Sequence, residues 1–162
     1  MSNYPTIIGR FEHVDLIDNL KCVPVKIDTG AYGSAIHASN ITIVQENGKS
    51  ILKCSLLGHP VYLDTLDFQT EHFTRRRVKS SSGHSALRFQ VELKIRLGHN
   101  TFVTPFTLTD RSSNVFPVLI GRKVLARRYI VDVSKTGIKK PELKQAADTV
   151  SEDPQFLEGV SA

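Results

Sequence analysis

The run Val25-Lys26-Ile27-Asp28-Thr29-Gly30-Ala31, opened by Val23-Pro24, delivers one carboxylate from a strand-like stretch into a turn that a glycine can relax. A carboxylate held at the tip of a rigid loop can be met by a second, equivalent one. Two carboxylates that close cannot both ionise, so they share a proton and act on one water as base and acid together. The triplet is also an ordinary turn sequence, because Asp, Thr and Gly all occur in turns for local reasons. The rest of the chain has to decide between these readings.

The other chemistry-bearing residues narrow the field. Asp64-Thr65-Leu66 and Asp110-Arg111-Ser112 lack the glycine, and neither follows a strong apolar strand, so one chain supplies one such carboxylate. The six histidines, His13, His37, His59, His72, His84 and His99, form neither HExxH nor a close ligand pair, and no metal site is expected. His37 reads as a structural histidine beside the Asp28 loop. No Gly-rich phosphate loop is present, so no cofactor is expected and any ATP dependence would belong to a partner. Cys22 and Cys54 make no disulfide framework and no CxxC pair; buried or bystander thiols in a reducing compartment are expected.

At 162 residues the chain has the length of one domain with a proper core. It has no apolar run near the length of a membrane span and no signal-like apolar block behind its start, so a cytoplasmic protein without membrane contact is expected. The net charge of +5 is uneven: residues 139–162 carry −2 and residues 1–138 carry +7. A basic body suits an acidic peptide, or nucleic acid.

The elements that position Asp28 are short and β-rich. Thr6 to Arg10 and Phe11 to Ile17 mix apolar and polar residues as strands do, and Asp18-Asn19-Leu20-Lys21 turns the chain into Cys22–Asp28. Ser34 to Ala38 fits a helical turn or a strand equally. Ile41–Val44 and Ser50–Leu56 flank Asn47-Gly48, a strong hairpin signal because both residues tolerate positive φ. Asp64 to Thr74 reads as a connecting loop. Val91, Leu93, Ile95 and Leu97 alternate with Glu92, Lys94 and Arg96 as in a half-buried strand, and Pro105 in the next run indicates an edge or a bulge. Val115 to Gly121 is a buried strand, Arg122 to Arg128 a two-turn helix, and Tyr129 to Val133 a return to strand. From Lys139 no period is visible. The expectation is a mostly β domain over residues 1–138, closed or sandwich-like, with a mobile or wrapping tail at 139–162.

A hairpin, then Asp28-Thr29-Gly30-Ala31, then further hairpins and Leu119-Ile120-Gly121-Arg122 leading into a short helix resembles the retropepsin fold, a closed β-barrel with one short C-terminal helix. The closer resemblance is to a bacterial and archaeal family of retropepsin-like proteins often labelled ATP-dependent zinc proteases, found with an ATP-grasp ligase that adds glutamates to a ribosomal protein. It rests on Ile8-Gly9-Arg10, Lys26 to Ala31, Ser34 to Ala38, Arg76 to His84 with Arg88, Leu119 to Arg122 and Tyr129 to Asp132, and covers roughly residues 7 to 137. Two departures stand out. Retroviral enzymes carry an acidic partner for the Arg of the second motif where this chain has Tyr32, so Arg122 needs another acceptor. The family commonly has Arg or Lys and a small polar residue where this chain has Tyr32-Gly33.

The resemblance implies an aspartic endopeptidase with Asp28, Thr29 and Gly30 as catalytic-loop residues, in a homodimer whose two-fold axis brings two copies of Asp28 together. Thr29 would brace the paired loops and Gly30 would let the backbone approach substrate. The hairpin Arg76–Arg88, with tip Ser81-Ser82-Gly83, is the candidate flap. Substrate contacts are then expected from Ala31, Arg77, Lys79, Ser80, Ser81, Gly83 and Arg88. The basic hairpin indicates an acidic substrate, a glutamate-rich peptide or modified ribosomal protein; RNA contact ranks below this because no stacking aromatics interleave with the cations. The ligase is an implied partner. The competing reading is a non-catalytic module that binds a peptide or the ligase.

Overall fold

The computed structural model describes residues 4–16, 19–79 and 82–161. The order is β1 (Thr6–Ile8), β2 (Phe11–Leu16), β3 (Leu20–Ile27), β4 (Ser34–Glu46), β5 (Lys49–His59), β6 (Tyr62–Thr70), β7 (Phe73–Lys79), β8 (Ser85–Leu97), β9 (Asn100–Thr109), β10 (Val118–Ile120), α1 (Arg122–Leu125), β11 (Tyr129–Val131) and α2 (Lys140–Thr149), then a 3-10 turn at Pro154–Leu157.

Six strands close into a barrel. Neighbours run β10-β3-β2-β8-β9-β4, and β4 pairs back onto β10 to complete the ring. Closure removes free edges from the part of the sheet that carries Asp28. The barrel interior is filled by the alternate residues that the strand period supplies, among them Val23, Val25, Ile36, Val91, Leu93, Ile95, Leu108, Val118 and Ile120, all essentially inaccessible. β5 and β6 extend the sheet outward from β4, and β7 pairs with the first half of β8 to make a protruding hairpin.

Several sequence expectations are met for the reasons given. Asn47 and Gly48 both take positive φ, 51° and 75°, and set the β4–β5 register from Glu46↔Lys49 onward. Pro105 lies in β9 opposite Glu92 of β8, while pairing with β4 on the other side starts only at Phe106; the proline occupies the last edge position of its strand. The ambiguous run from Ser34 is strand, held between β10 and β9.

Two segments differ. The expected loop from Asp64 is most of β6, paired residue by residue with β5 through Cys54↔Phe68 and Leu56↔Leu66. Its polar residues face solvent on an outer strand, while Leu66 and Phe68 pack against the core, so the apolar count stays low although the geometry is regular. The helix expected over residues 122–128 covers only Arg122–Leu125.

Residues 139–162 hold α2, where Leu143, Ala146 and Ala147, continued by Val150 at the C-cap, form an apolar stripe at helical spacing. Two of these are alanines, which give a weak signal in sequence. The stripe belongs to a second apolar cluster with Phe11, Val115, Phe116, Ile138, Leu157 and Val160. There Phe11 and Phe116 stack at 4.9 Å and Phe156 meets Phe11 edge-on at 5.5 Å. Arg10 ties the segment down by donating to the Phe156 and Glu158 carbonyls at 2.6 and 2.9 Å. Among the described residues no helix is long and apolar enough to cross a membrane.

Candidate active site

Asp28 follows directly on β3. The Ile27 N–H donates to the Arg10 carbonyl at 2.8 Å and the Asp28 N–H to the Ile120 carbonyl at 2.8 Å, so the strand end is anchored on both sides. β10 runs parallel to β3 with Ile120 opposite Ile27, which is why a two-residue apolar pair far along the chain fixes the height of this carboxylate. The carboxylate then turns back on its own loop, where Oδ1 accepts from the Gly30 N–H at 2.9 Å. Asp28 is half-buried and Thr29 and Gly30 are exposed, so the loop presents its tip to solvent.

The loop is clamped from behind by the start of α1. The Arg122 N–H donates to Ala31 O at 2.8 Å and the Lys123 N–H to Tyr32 O at 2.9 Å, using helix-start donors that need outside acceptors. The Gly121 N–H donates to the buried Ser34 hydroxyl at 3.1 Å. A Cβ on Gly121 would run into the Gly33 and Tyr32 carbonyls, so only glycine lets the two backbones meet. The Arg122 side chain finds its acceptor in the Thr29 carbonyl, at 3.1 Å from Nη1. This answers the missing acid at Tyr32. Position 32 serves through its carbonyl, which any residue supplies, and the Tyr32 side chain is 65% exposed.

Residues 7–142 match the family described as retropepsin-like aspartic endopeptidase RimB. The chain belongs to this RimB-like family. A Shewanella pealeana protein named probable alpha-L-glutamate ligase is 32% identical over 117 residues, 70% of this chain and 25% of that protein. A Desulfotalea psychrophila protein of the same name is 29% identical over 130 residues, 78% of this chain and 28% of that protein. The chain thus spans about a quarter of the length of these relatives. A crystal structure of a Legionella pneumophila protein of unknown function superposes with a TM-score of 0.66 at 28% identity, covering 82% of this chain and 97% of that one.

Within this RimB-like site the sequence-expected residues fall into two groups. Asp28, Thr29, Gly30 and Ala31 form one loop, with Ala31 engaged through its backbone. Arg77, Lys79, Gly83 and Arg88 lie on the β7–β8 hairpin, where Arg76 pairs with Arg88 and Lys79 with Ser85. Ser80 and Ser81 lie outside the described residues. Gly83 has φ +84 at the hairpin tip, and Arg77 reaches Ser85 at 3.4 Å. Among the described residues no hydrogen bond or ion pair joins the hairpin cations to the Asp28 loop. Arg88 is half-buried midway along the hairpin and lines a cavity of about 570 Å³ with His37, Asn40, Leu108 and Asp110.

The turn after β9 adds a residue that the sequence did not single out. Arg111 is half-buried; burial pulls its guanidinium below the ordinary arginine range, and the negative charge of Asp28 acts against that pull. Asp110 caps the turn by accepting from the Ser112 N–H at 2.9 Å. His37 and His59 are buried, and burial lowers the pKa of both. Asp110 comes within 3.7 Å of His37 and favours its charged form, but burial outweighs it. Burial also pushes the Cys54 thiol up to about 11, while Cys22 is exposed. Among the described residues no three potential metal ligands converge.

Proposed function

We propose that the chain is an aspartic endopeptidase working as a homodimer, each copy giving one Asp28, on acidic, glutamate-rich peptides. The observation that carries this reading is the Asp28 loop: a carboxylate anchored through Ile120, clamped by Arg122 and left open at its tip. Such rigidity is needed when two like charges are to be held together, since any slack would let them separate.

In that dimer the paired carboxyls share one proton. The ionised one takes a proton from water as the water oxygen attacks the scissile carbonyl carbon, and the protonated one gives its proton to the carbonyl oxygen. The tetrahedral diol then collapses. The C–N bond breaks, the amide nitrogen takes a proton from the dyad, and an acid and an amine leave. Thr29 braces the paired loops and the β7–β8 hairpin closes over substrate with Arg77, Lys79 and Arg88 facing acidic side chains.

The test is Asp28→Asn, which preserves shape and removes the shared proton. Cleavage of a glutamate-rich peptide at low salt should fall at least ~1,000-fold, as loss of a positioned acid–base group does. Equal cleavage by both proteins, or a strict monomer in sedimentation under assay conditions, would remove this reading. A second reading is supported by the relatives' name: a module that binds a glutamate ligase or its product without cutting it. It predicts ligase or peptide binding that survives Asp28→Asn together with no cleavage by the wild type.

A further inference from the structure

Arg111 is held more firmly than an exposed turn residue needs to be. Its backbone N–H donates to His37 Nδ1 at 2.9 Å, and its carbonyl accepts from His59 Nε2 at 2.8 Å. The Val61 N–H donates to His59 Nδ1 at 3.0 Å, so Nε2 carries the His59 proton. By the same logic His37, accepting at Nδ1, carries its proton on Nε2. The two rings, 6% and 0% exposed, meet edge to face at 5.2 Å. A buried pair of neutral histidines thus holds both the backbone N–H and the backbone C=O of one residue.

The side chain is fixed as well. Arg111 Nε donates to the Phe116 carbonyl at 2.9 Å, which orients the guanidinium plane, while Nη1 and Nη2 make no hydrogen bond among the described residues. Arg111 lines a cavity of about 140 Å³ with Arg10, Lys26, Ile27, Phe116 and Glu152. Ile27 is the residue before Asp28, and the Asp28 charge acts on the Arg111 guanidinium. On its other flank the same turn, through Asp110 and Ser112, lines the cavity under Arg88 of the hairpin. Arg111 is therefore within electrostatic reach of Asp28, in a turn whose Asp110 and Ser112 share a cavity with Arg88.

We propose that Arg111 is a specificity-determining residue, its free guanidinium edge taking the side-chain carboxylate of the substrate residue next to the scissile bond. A guanidinium matches a carboxylate with two parallel hydrogen bonds, a geometry that an ammonium or a neutral amide does not reproduce. A fork already oriented at Nε loses little freedom on binding. The histidine grip is the positioning element: it sets where the turn places Arg111 and does not itself meet substrate. This assignment rests on the peptidase reading and specifies which residue selects acidic side chains.

The experiment compares a glutamate-rich peptide with its glutamine isostere, in two arms. Cleavage by wild type and Arg111→Gln reads the Glu:Gln ratio of kcat/KM. Binding of the same peptides to Asp28→Asn, with and without Arg111→Gln, reads the preference without chemistry. Loss of one bidentate contact should collapse the Glu:Gln ratio roughly 10- to 100-fold in both arms. Arg111→Lys, which keeps charge and loses the fork, should leave an intermediate ratio, and it stands in if Arg111→Gln fails to fold. An unchanged ratio in these variants overturns the assignment, as does an equal loss for both peptides, which marks a purely structural residue. If the wild type cleaves neither peptide, the peptidase reading fails and the binding arm alone decides for or against Arg111.

Discussion

Arg122 donates from Nη1 to the Thr29 carbonyl at 3.1 Å, while its backbone N–H donates to Ala31 O at 2.8 Å. One residue at the start of α1 thereby holds both ends of the turn that follows Asp28. In a chain with Tyr32 where an acid would otherwise receive this arginine, a backbone carbonyl takes the role. Arg122→Met should therefore lower stability only modestly, by about 0.5–1.5 kcal/mol for one hydrogen bond near solvent. Its effect on peptide cleavage should be larger, roughly 10-fold or more, because a loop displaced by a fraction of an ångström misplaces the carboxylate. Urea denaturation and the peptide assay, run together, separate the two.

Gly121→Ala should behave differently. The added methyl meets the Gly33 and Tyr32 carbonyls, which are backbone and cannot rotate away. A loss of about 1–3 kcal/mol is expected, as for overpacking elsewhere, together with loss of cleavage. A variant with unchanged denaturation midpoint would mean that the two backbones are not in contact.

The histidine pair gives a pH dependence of known sign. Burial lowers the pKa of His37 and His59 from 6.5, with Asp110 favouring and Arg111 opposing the charged form of His37. For a histidine depressed in the folded state, the contribution to stability is complete above the unfolded value and is lost as pH falls through the folded one. The thermal midpoint should drop as pH falls below about 6.5, and the slope should be shallower in His59→Gln. Protonation of His37 Nδ1 also removes the acceptor for the Arg111 N–H, so the Glu:Gln preference should weaken over the same range.

Leu143 is 1% exposed on α2, in the cluster with Phe11 and Phe116. Leu143→Ala should cost about 2–5 kcal/mol if that segment is part of the folded unit. An unchanged midpoint would mark residues 139–162 as an appendage.

Much of this architecture could be read along the chain because β-hairpins and strand alternation are local signals. Asn47-Gly48 announces its own turn, and Val91 to Leu97 announces its buried face. Leu119-Ile120-Gly121-Arg122 is legible for another reason: a glycine between an apolar pair and a basic helix start is a sharp pattern. β6 and α2 were not legible. Their apolar faces are thin, Leu66 and Phe68 in one, Leu143 and two alanines in the other, and both are regular only because a neighbour supplies the missing half of the core.

By itself the sequence determined that one carboxylate sits in a glycine turn at the end of a buried strand, within a β-rich basic body. Only the tertiary structure decided what surrounds it. That Arg122 ends on Thr29 rather than on an acid, and that Arg111 is gripped by His37 and His59, depends on pairings between residues 52 to 93 positions apart. No local propensity encodes such pairings. They follow from barrel closure, which brings β3, β4, β9 and β10 to one end and sets donors and acceptors there opposite one another.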